Sequence, residues 1–369
     1  MSSTDLLAGP DAREPQTPVA EATRSRSTRR VRRLVVLVGL AVAAGLSCVI
    51  ALGLGPVQVY PADTLAILLH ALGGGNSAAL DHGLVITEIR LPRILLALIA
   101  GASLAVAGTA MQAYFRNPLA EPGVTGVASG SAVGAVAVIV VGAGTLGSWA
   151  LPVAAFCGAI AVLGIIQLIA VLSRDRSPVT VLLLGIAMNA FCGALTGAII
   201  ANAADSQTVR GAMFWLQGDL TAANWDDLHL ITLPALLGIG ALGMMTRELN
   251  ALLLGDETAE STGVNVARVR LLLLVLTAVV VGSVVAVTGV IGFVGLVAPH
   301  IVRLLIGSDH RFLLPGAALL GGLFLVAADT VARMAPGGAA WQTGIVTALV
   351  GAPVFVVLVL RSRHTGRGA

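Results

Sequence analysis

Apolar runs of about 20 residues recur along almost the whole of this chain, and they limit its fold more than any other feature. A run of this length is what an α-helix needs to cross the hydrocarbon core of a bilayer. Because no water is available there to bond the backbone, such a run must form a helix or a strand of a closed barrel. Barrel strands alternate apolar and polar residues, whereas these runs are apolar throughout. The chain is therefore predicted to be an all-α polytopic membrane protein.

About ten transmembrane helices are predicted from these runs, and an even number brings both termini to one side. The boundary between the seventh and eighth is weak, because Gly292 and Gly295 interrupt one apolar stretch. Outside the helical domain (34–361), residues 1–33 are predicted to be a disordered basic tail and residues 362–369 a short second tail. The predicted spans are 34–54, 94–114, 123–144, 149–172, 179–201, 228–245, 269–290, 291–305, 313–334 and 344–360.

The basic residues predict the orientation. Of the 22 basic residues, 18 fall on the side of the termini, and four fall on the other side, namely Arg90, Arg93, Arg210 and Arg333. Because cytoplasmic loops collect basic residues, both termini are predicted to be cytoplasmic in a multi-pass protein of the inner (plasma) membrane. Arginines at membrane edges require no nucleic-acid partner. The chain contains no lysine and therefore no Gly-Lys-Ser/Thr phosphate loop, so any ATP that drives it must bind another polypeptide.

Two segments outside the spans have a pattern of their own. Residues 57–93 form a long external connection with a short amphipathic stretch at 64–72. Residues 247–270 form a long cytoplasmic connection whose leucines define one apolar face. This connection is predicted either as a short helix–turn–helix on the membrane surface or as a solvated loop.

Few polar residues lie within the spans. Asp329 is the one carboxylate clearly inside a predicted span, and Arg333 follows it on the same helix face, which favours an intrahelical ion pair. An ion-coupled secondary transporter would need several such acids, so it is the weaker alternative. A membrane enzyme is disfavoured because no acid, base and nucleophile set and no metal-ligand spacing is present. His300 and Arg303 share a helix face, where a capping or packing role is favoured.

Five blocks of sequence resemble the iron–siderophore and vitamin B12 (FecCD-type) permease family of ABC importers. They are IRLPR at 89–93, GASLAVAGTAMQAYFRNPLAEPGVTGVASG at 101–130, GVIGFVGLVAPHIVRLLIGSDHRFLLPGAALLGG at 289–322, ADTVAR at 328–333 and GIVTALVGAPVF at 344–355. The resemblance extends over residues 34–361. The motif positions carried by these blocks are Gln112, Arg116, Asn117, Pro118, Pro299, His300, Arg303 and Asp329.

The resemblance implies the type II ABC importer permease architecture, with ten helices in each subunit. Such a permease pairs with a second permease subunit, binds two ABC ATPase subunits on the cytoplasmic side and an extracytoplasmic substrate-binding protein on the other. The resemblance implies that no cofactor binds this chain, that ATP is bound by the partner, and that the substrate is a ferric siderophore, with cobalamin and haem as alternatives. The pathway is expected along the fifth and tenth spans, where the candidate residues are Asn189, Thr347, Gly351 and Pro353.

Two contact regions also follow from the resemblance. Residues 255–263 are similar to the segment that couples the permease to the ATPase, through Gly255, Glu257, Ala259 and Gly263. Arg90, Arg93 and Arg333 are similar to external arginines that meet acidic residues of the binding protein. Where family members have an acid and a proline before the Gly-Ile-Val-Thr block, this chain has Ala340 and Gln342, so its outer loop is expected to contact its partner differently.

Overall fold

The computed structural model describes residues 18–55, 57–73, 80–142, 147, 149–175, 177–335 and 341–365. Within these ranges the regular secondary structure is entirely helical. Seven helices are long and apolar enough to cross a membrane, and three shorter apolar helices cover Val127–Val141, Val294–Ile306 and Thr343–Leu358. The prediction of an all-α membrane protein with about ten transmembrane helices is confirmed.

The helices follow the predicted spans closely. A π-helix at Val85–Arg90 leads into α3, and a 3-10 turn at Pro122–Thr125 precedes α4. The α-helices are α1 (Pro18–Gly53), α2 (Pro61–Leu72), α3 (Leu91–Tyr114), α4 (Val127–Val141), α5 (Ala150–Leu172), α6 (Pro178–Ala201), α7 (Ser206–Leu216), α8 (Trp225–Met244), α9 (Thr246–Leu252), α10 (Asp256–Ser261), α11 (Val266–Thr288), α12 (Val294–Ile306), α13 (His310–Arg333) and α14 (Thr343–Thr365).

The first helix begins earlier than predicted. It starts at Pro18, so residues 18–33 are helical and the prediction of a disordered tail is wrong for them. Proline is well suited to the first helical position because its φ angle is already fixed, and extending an existing helix avoids the cost of a new nucleus. At the other end, α14 continues through residues 362–365 of the predicted second tail. Residues 1–17 and 366–369 of the predicted tails lie outside the described residues.

The weak boundary between the seventh and eighth spans is a break of five residues. Residues 289–293 separate α11 from α12, and both Gly289 and Phe293 have a φ of +68°. A side chain on Gly289 would lie 2.2 Å from the carbonyl oxygen of Trp215. The close approach of the last turn of α7 therefore requires glycine at this position, and it fixes where α11 ends.

Helix α3 forms the centre of the bundle, and small residues let its neighbours approach closely. A Cβ on Gly101 would lie 2.3 Å from the carbonyl oxygen of Gly321 on α13, and one on Gly108 would lie 1.8 Å from that of Gly295 on α12. The glycines of α4 behave in the same way, since a Cβ on Gly130 would lie 2.4 Å from the carbonyl oxygen of Gly158 on α5. Small residues at these contacts allow the helix backbones to approach closely.

This packing predicts a large difference between two glycine-to-alanine variants. Gly108→Ala places a methyl group where backbone already lies, and overpacking of this kind typically costs about 1–3 kcal/mol. Gly240→Ala on α8 is the matched control, because nothing lies within 4 Å of its added Cβ. Thermal unfolding in detergent should show a lower midpoint for Gly108→Ala and an unchanged or higher one for Gly240→Ala. Equal midpoints would contradict the close α3–α12 contact.

Candidate functional site

Polar side chains gather at opposite ends of the bundle. At the Asp329 end, α1 and α13 terminate and α3 begins. At the Asp256 end, α3 and α12 terminate, the short helices α9 and α10 follow α8, and α11 and α13 begin. Each end has its own buried or half-buried charge cluster, and the two clusters contain different candidate site residues.

Asp329 is the centre of the first cluster. Its side chain is 1% exposed. The guanidinium of Arg93 on α3 donates hydrogen bonds to this carboxylate. Its Nε lies 3.0 Å from both carboxylate oxygens, and its Nη2 lies 2.8 Å from Oδ1. Arg333 Nε lies 3.2 Å from Oδ2, which is the intrahelical pair predicted from the sequence. Thr343, the first residue of α14, donates its hydroxyl to Oδ1 at 3.0 Å. Asp329 therefore joins α3, α13 and α14.

Two arginines at this end also bind the last carbonyl groups of α1. Arg90 Nη1 donates to the carbonyl oxygens of Leu52 at 2.6 Å and Gly53 at 3.2 Å, and its Nη2 donates to that of Val57. Arg333 donates to the carbonyl oxygens of Ala51 at 3.1 Å and Leu54 at 3.2 Å. The last carbonyls of a helix have no partner within it, and cations are favourable there. The two arginines therefore cap α1.

These contacts change the interpretation of Arg90, Arg93 and Arg333. Direct docking of a binding protein would require guanidinium groups that project from the surface. Arg90 is 4% exposed and Arg93 is 8% exposed, and all three have partners inside the chain. Folding brings Asp329 to Arg93 across 236 residues of sequence, so the buried Arg93 has an acidic partner within the chain.

Asp256 is the centre of the second cluster. Its Oδ1 accepts hydrogen bonds from Arg116, in the loop after α3, and from Arg270 on α11, both at 2.8 Å. The guanidinium of Arg270 also lies 5.9 Å from the centre of the Tyr114 ring. The side chain of Asp256 is 37% exposed and that of Arg116 is 39% exposed. Asp256 thus fixes the start of α10 to both α3 and α11, a role that sequence reasoning did not find.

The sequence predicts two alternatives for residues 247–270, a helix–turn–helix and a solvated loop. The structure has the helix–turn–helix, formed by α9 and α10. Ala259 is fully buried, whereas Glu257 is exposed on the outer face of α10. Gly255 and Gly263 bracket this helix with φ angles of +103° and +86°, which favour glycine. No atom lies within 4 Å of a Cβ built on Gly263. Glycine is therefore favoured at this position by its positive φ angle and not by close packing.

The remaining motif residues lie in the second half of α3, in the loop after it and in α12. Gln112 on α3 accepts a bond from Arg303 of α12 at 2.6 Å and donates to the carbonyl oxygen of Leu296 at 3.4 Å. Asn117 accepts a bond from the backbone of Leu119 at 2.9 Å, next to Pro118. Pro299 lies inside α12, and neither ring nitrogen of His300 has a partner among the described residues.

The candidate pathway residues have mostly packing roles. Thr347 is fully buried and donates to the carbonyl oxygen of Gly344 at 2.9 Å. A Cβ on Gly351 would lie 2.5 Å from that of Phe293. Asn189 donates to the carbonyl oxygen of Gly123 at 3.1 Å. A pathway between two subunits requires side chains at the surface of each subunit. In this subunit Thr347 and Gly351 are buried and Pro353 is exposed, and the assignment of these residues to the pathway stays a prediction.

The described residues contain no group of three or more His, Cys, Asp or Glu side chains that could hold a metal ion. A cavity of about 470 Å³ opens between α5, α10 and α11, and the side chains of Gln167, Asp256 and Arg270 line it beside apolar walls. It lies against the Asp256 cluster, so the space beside the coupling segment is partly polar.

Comparison with known proteins gives a consistent result. The chain is 42% identical over 324 residues to the hemin transport system permease protein HmuU of Yersinia pestis, a match that covers 82% of this chain and 96% of that protein. It is 41% identical over 347 residues to the cobalamin import system permease protein BtuC of Halobacterium salinarum, covering 91% of this chain and 90% of that protein.

A solved structure described as an inward-facing metal-chelate type ABC transporter also matches. The TM-score is 0.77 at 32% identity, and the match covers 88% of this chain and 98% of that one. The sequence model of the FecCD transport family matches residues 32–361. The resemblance predicted from the sequence blocks is confirmed, and the chain belongs to the FecCD transport family.

Proposed function

We propose that this chain is the membrane-spanning permease subunit of an ABC importer, with the Asp256 end in the cytoplasm and the Asp329 end outside. The observation that carries the proposal is α10, a short helix that exposes an acidic face while Asp256 holds it to α3 and α11. A partner ATPase that binds this face could pass movement to two membrane helices at once. The orientation is supported by the excess of basic residues at this end.

The ion-coupled alternative is weaker. Asp329, the acid on which it would depend, is engaged by two arginines and a threonine, so it offers no free carboxylate to carry a proton or sodium ion. Two ATPase subunits, an extracytoplasmic binding protein and a second permease subunit complete the proposed assembly. Helices α6 and α14 expose large apolar side chains, among them Phe191 and Leu349, which lipid or a second subunit would cover.

For the substrate, we propose a metallated tetrapyrrole. The support comes from the relatives, whose names specify hemin and cobalamin, both of which are metal-containing macrocycles of this class. The ferric siderophore predicted from the sequence is the second candidate, favoured by the metal-chelate description of the structural relative. In either case the metal would arrive already chelated.

An uptake panel tests the substrate. A strain that lacks this gene should lose growth on haem as iron source or uptake of cobalamin, and a plasmid copy should restore it. A panel of ferric siderophores serves as the comparison. If the strain loses only siderophore uptake, the tetrapyrrole proposal is wrong and the siderophore prediction stands.

A further inference from the structure

A side chain of the coupling segment holds the first turn of α13. Asn250 lies on α9, and its Oδ1 accepts two bonds from His310, from the backbone N–H at 3.0 Å and from ring Nδ1 at 2.8 Å. Its Nδ2 donates to Asp309 Oδ1 at 3.2 Å. His310 is 1% exposed. Three bonds therefore fix α9 to the start of a transmembrane helix, with the imidazole of His310 fully buried and Asn250 and Asp309 half-buried.

The bonding pattern fixes the role of each atom. Because Asn250 Nδ2 can only donate, the carboxylate of Asp309 orients the amide, and Oδ1 must face His310. Since Oδ1 can only accept, Nδ1 of His310 carries the proton. The other ring nitrogen, Nε2, is buried and has no partner in the described part of the chain. His310 is thus attached to α9 through Nδ1.

Two more membrane helices meet at the same point. Arg33 of α1 lies 3.3 Å from Asp309 Oδ2 and donates from Nε to the carbonyl oxygen of Ile306, the last residue of α12, at 3.0 Å. Its guanidinium lies 4.8 Å from the centre of the Phe312 ring on α13. A displacement of α9 would therefore act through Asn250 on α13 and, through Asp309 and Arg33, on α1 and α12.

We propose that Asn250 and His310 are positioning residues that pass movement of the coupling segment to the membrane helices and so set how much substrate is moved for each ATP hydrolysed. This inference rests on the proposed function. Asp256 holds α10 to α3 and α11, whereas Asn250 and His310 attach α9 to α13. The segment is thus connected to the bundle at two separate points.

Two substitutions of His310 distinguish the effect of its hydrogen bond to Asn250 from the effect of its packing. The amide nitrogen of asparagine can occupy the position of Nδ1, and that of glutamine the position of Nε2. His310→Asn should therefore keep the bond to Asn250, whereas His310→Gln should lose it. Removing one link in a coupling network changes coupling by roughly 2- to 30-fold. We expect the ratio of substrate transported to ATP hydrolysed to fall about five-fold in His310→Gln and to stay near wild type in His310→Asn.

The measurement uses the complete complex of permease, ATPase and binding protein in proteoliposomes, with transport and ATP hydrolysis followed in the same samples. His70→Gln, at an exposed position on α2, is the matched control. Asn250→Leu should lower the ratio as His310→Gln does. Equal ratios in the asparagine and glutamine variants of His310, or an equal loss in His70→Gln, would overturn the inference. Absence of ATP-driven transport by the wild-type complex would instead contradict the proposed function.

Discussion

Asp329→Leu is expected to be the most destabilising single substitution in this chain. It leaves Arg93 and Arg333 buried at the Asp329 end without their shared carboxylate, and it removes the bond that Thr343 makes at the start of α14. Breaking a buried ion pair by removing one partner typically costs about 3–5 kcal/mol, because the remaining charge is not compensated. The variant should accumulate poorly and aggregate at a much lower temperature in detergent than the wild type.

A double variant shows whether Asp329→Leu destabilises the protein by leaving a buried charge unpaired or by disturbing the packing. Asp329→Leu combined with Arg93→Met removes both members of the main pair, so the double variant should be more stable than Asp329→Leu alone. Asp226→Asn, at an exposed position on α8, is the control and should behave as the wild type. If Asp329→Leu melts at the wild-type temperature and only binding-protein affinity falls, the arginines belong to a docking surface as the sequence first suggested.

Asp256→Ala is expected to reduce transport strongly while the protein remains folded. The substitution frees α10 from Arg116 and Arg270. The pair with Arg116 is more than a third exposed on both sides, and such exposed pairs contribute about 0–1 kcal/mol to stability; Arg270 is 12% exposed, so most of any loss of stability comes from that pair. Movement of the ATPase would then be passed less completely to α3 and α11. Transport per ATP should fall about ten-fold, within the range for loss of a coupling contact.

Asp226→Ala is the matched control for this prediction, because Asp226 is an exposed acid at the start of α8, outside the coupling segment, and forms no ion pair among the described residues. Transport and ATP hydrolysis should be measured together in proteoliposomes, with the melting temperature of each variant recorded. Similar transport per ATP in Asp256→Ala and Asp226→Ala would remove Asp256 from the coupling element. A large fall in melting temperature would mean that it is a structural residue.

Much of the fold could be predicted because bilayer length and apolarity determine it residue by residue. The predicted span at 149–172 and the observed helix Ala150–Leu172 differ by one residue. The sequence predicts a boundary at the peptide bond between residues 290 and 291, whereas the observed break covers residues 289–293. Nothing in this apolar sequence marks Phe293 as a turn residue, although its φ is +68°. The extension of α1 to Pro18 could not be predicted, because the polar composition of residues 18–33 is as typical of a disordered tail as of an exposed helix end.

The charge clusters were only half predictable. The pair of Asp329 and Arg333 follows from helical spacing, whereas the partner Arg93 depends on how α3 packs against α13 through Gly101 and Gly321. Glycine spacing indicates that a helix packs tightly but does not identify its partner. For the same reason, Asp256, Asn250 and His310 were not singled out, although each lies in a segment that the sequence identified.

The most direct test of the account is uptake by proteoliposomes that contain the permease with its partner ATPase and binding protein. Substrate should move toward the side that carries ATP and the Asp256 end, only when the binding protein is present on the other side, and not when ATP is replaced by a non-hydrolysable analogue. The permease alone should support no uptake under a proton or sodium gradient. Gradient-driven uptake by the permease alone, without ATP, would contradict the account and identify an ion-coupled transporter.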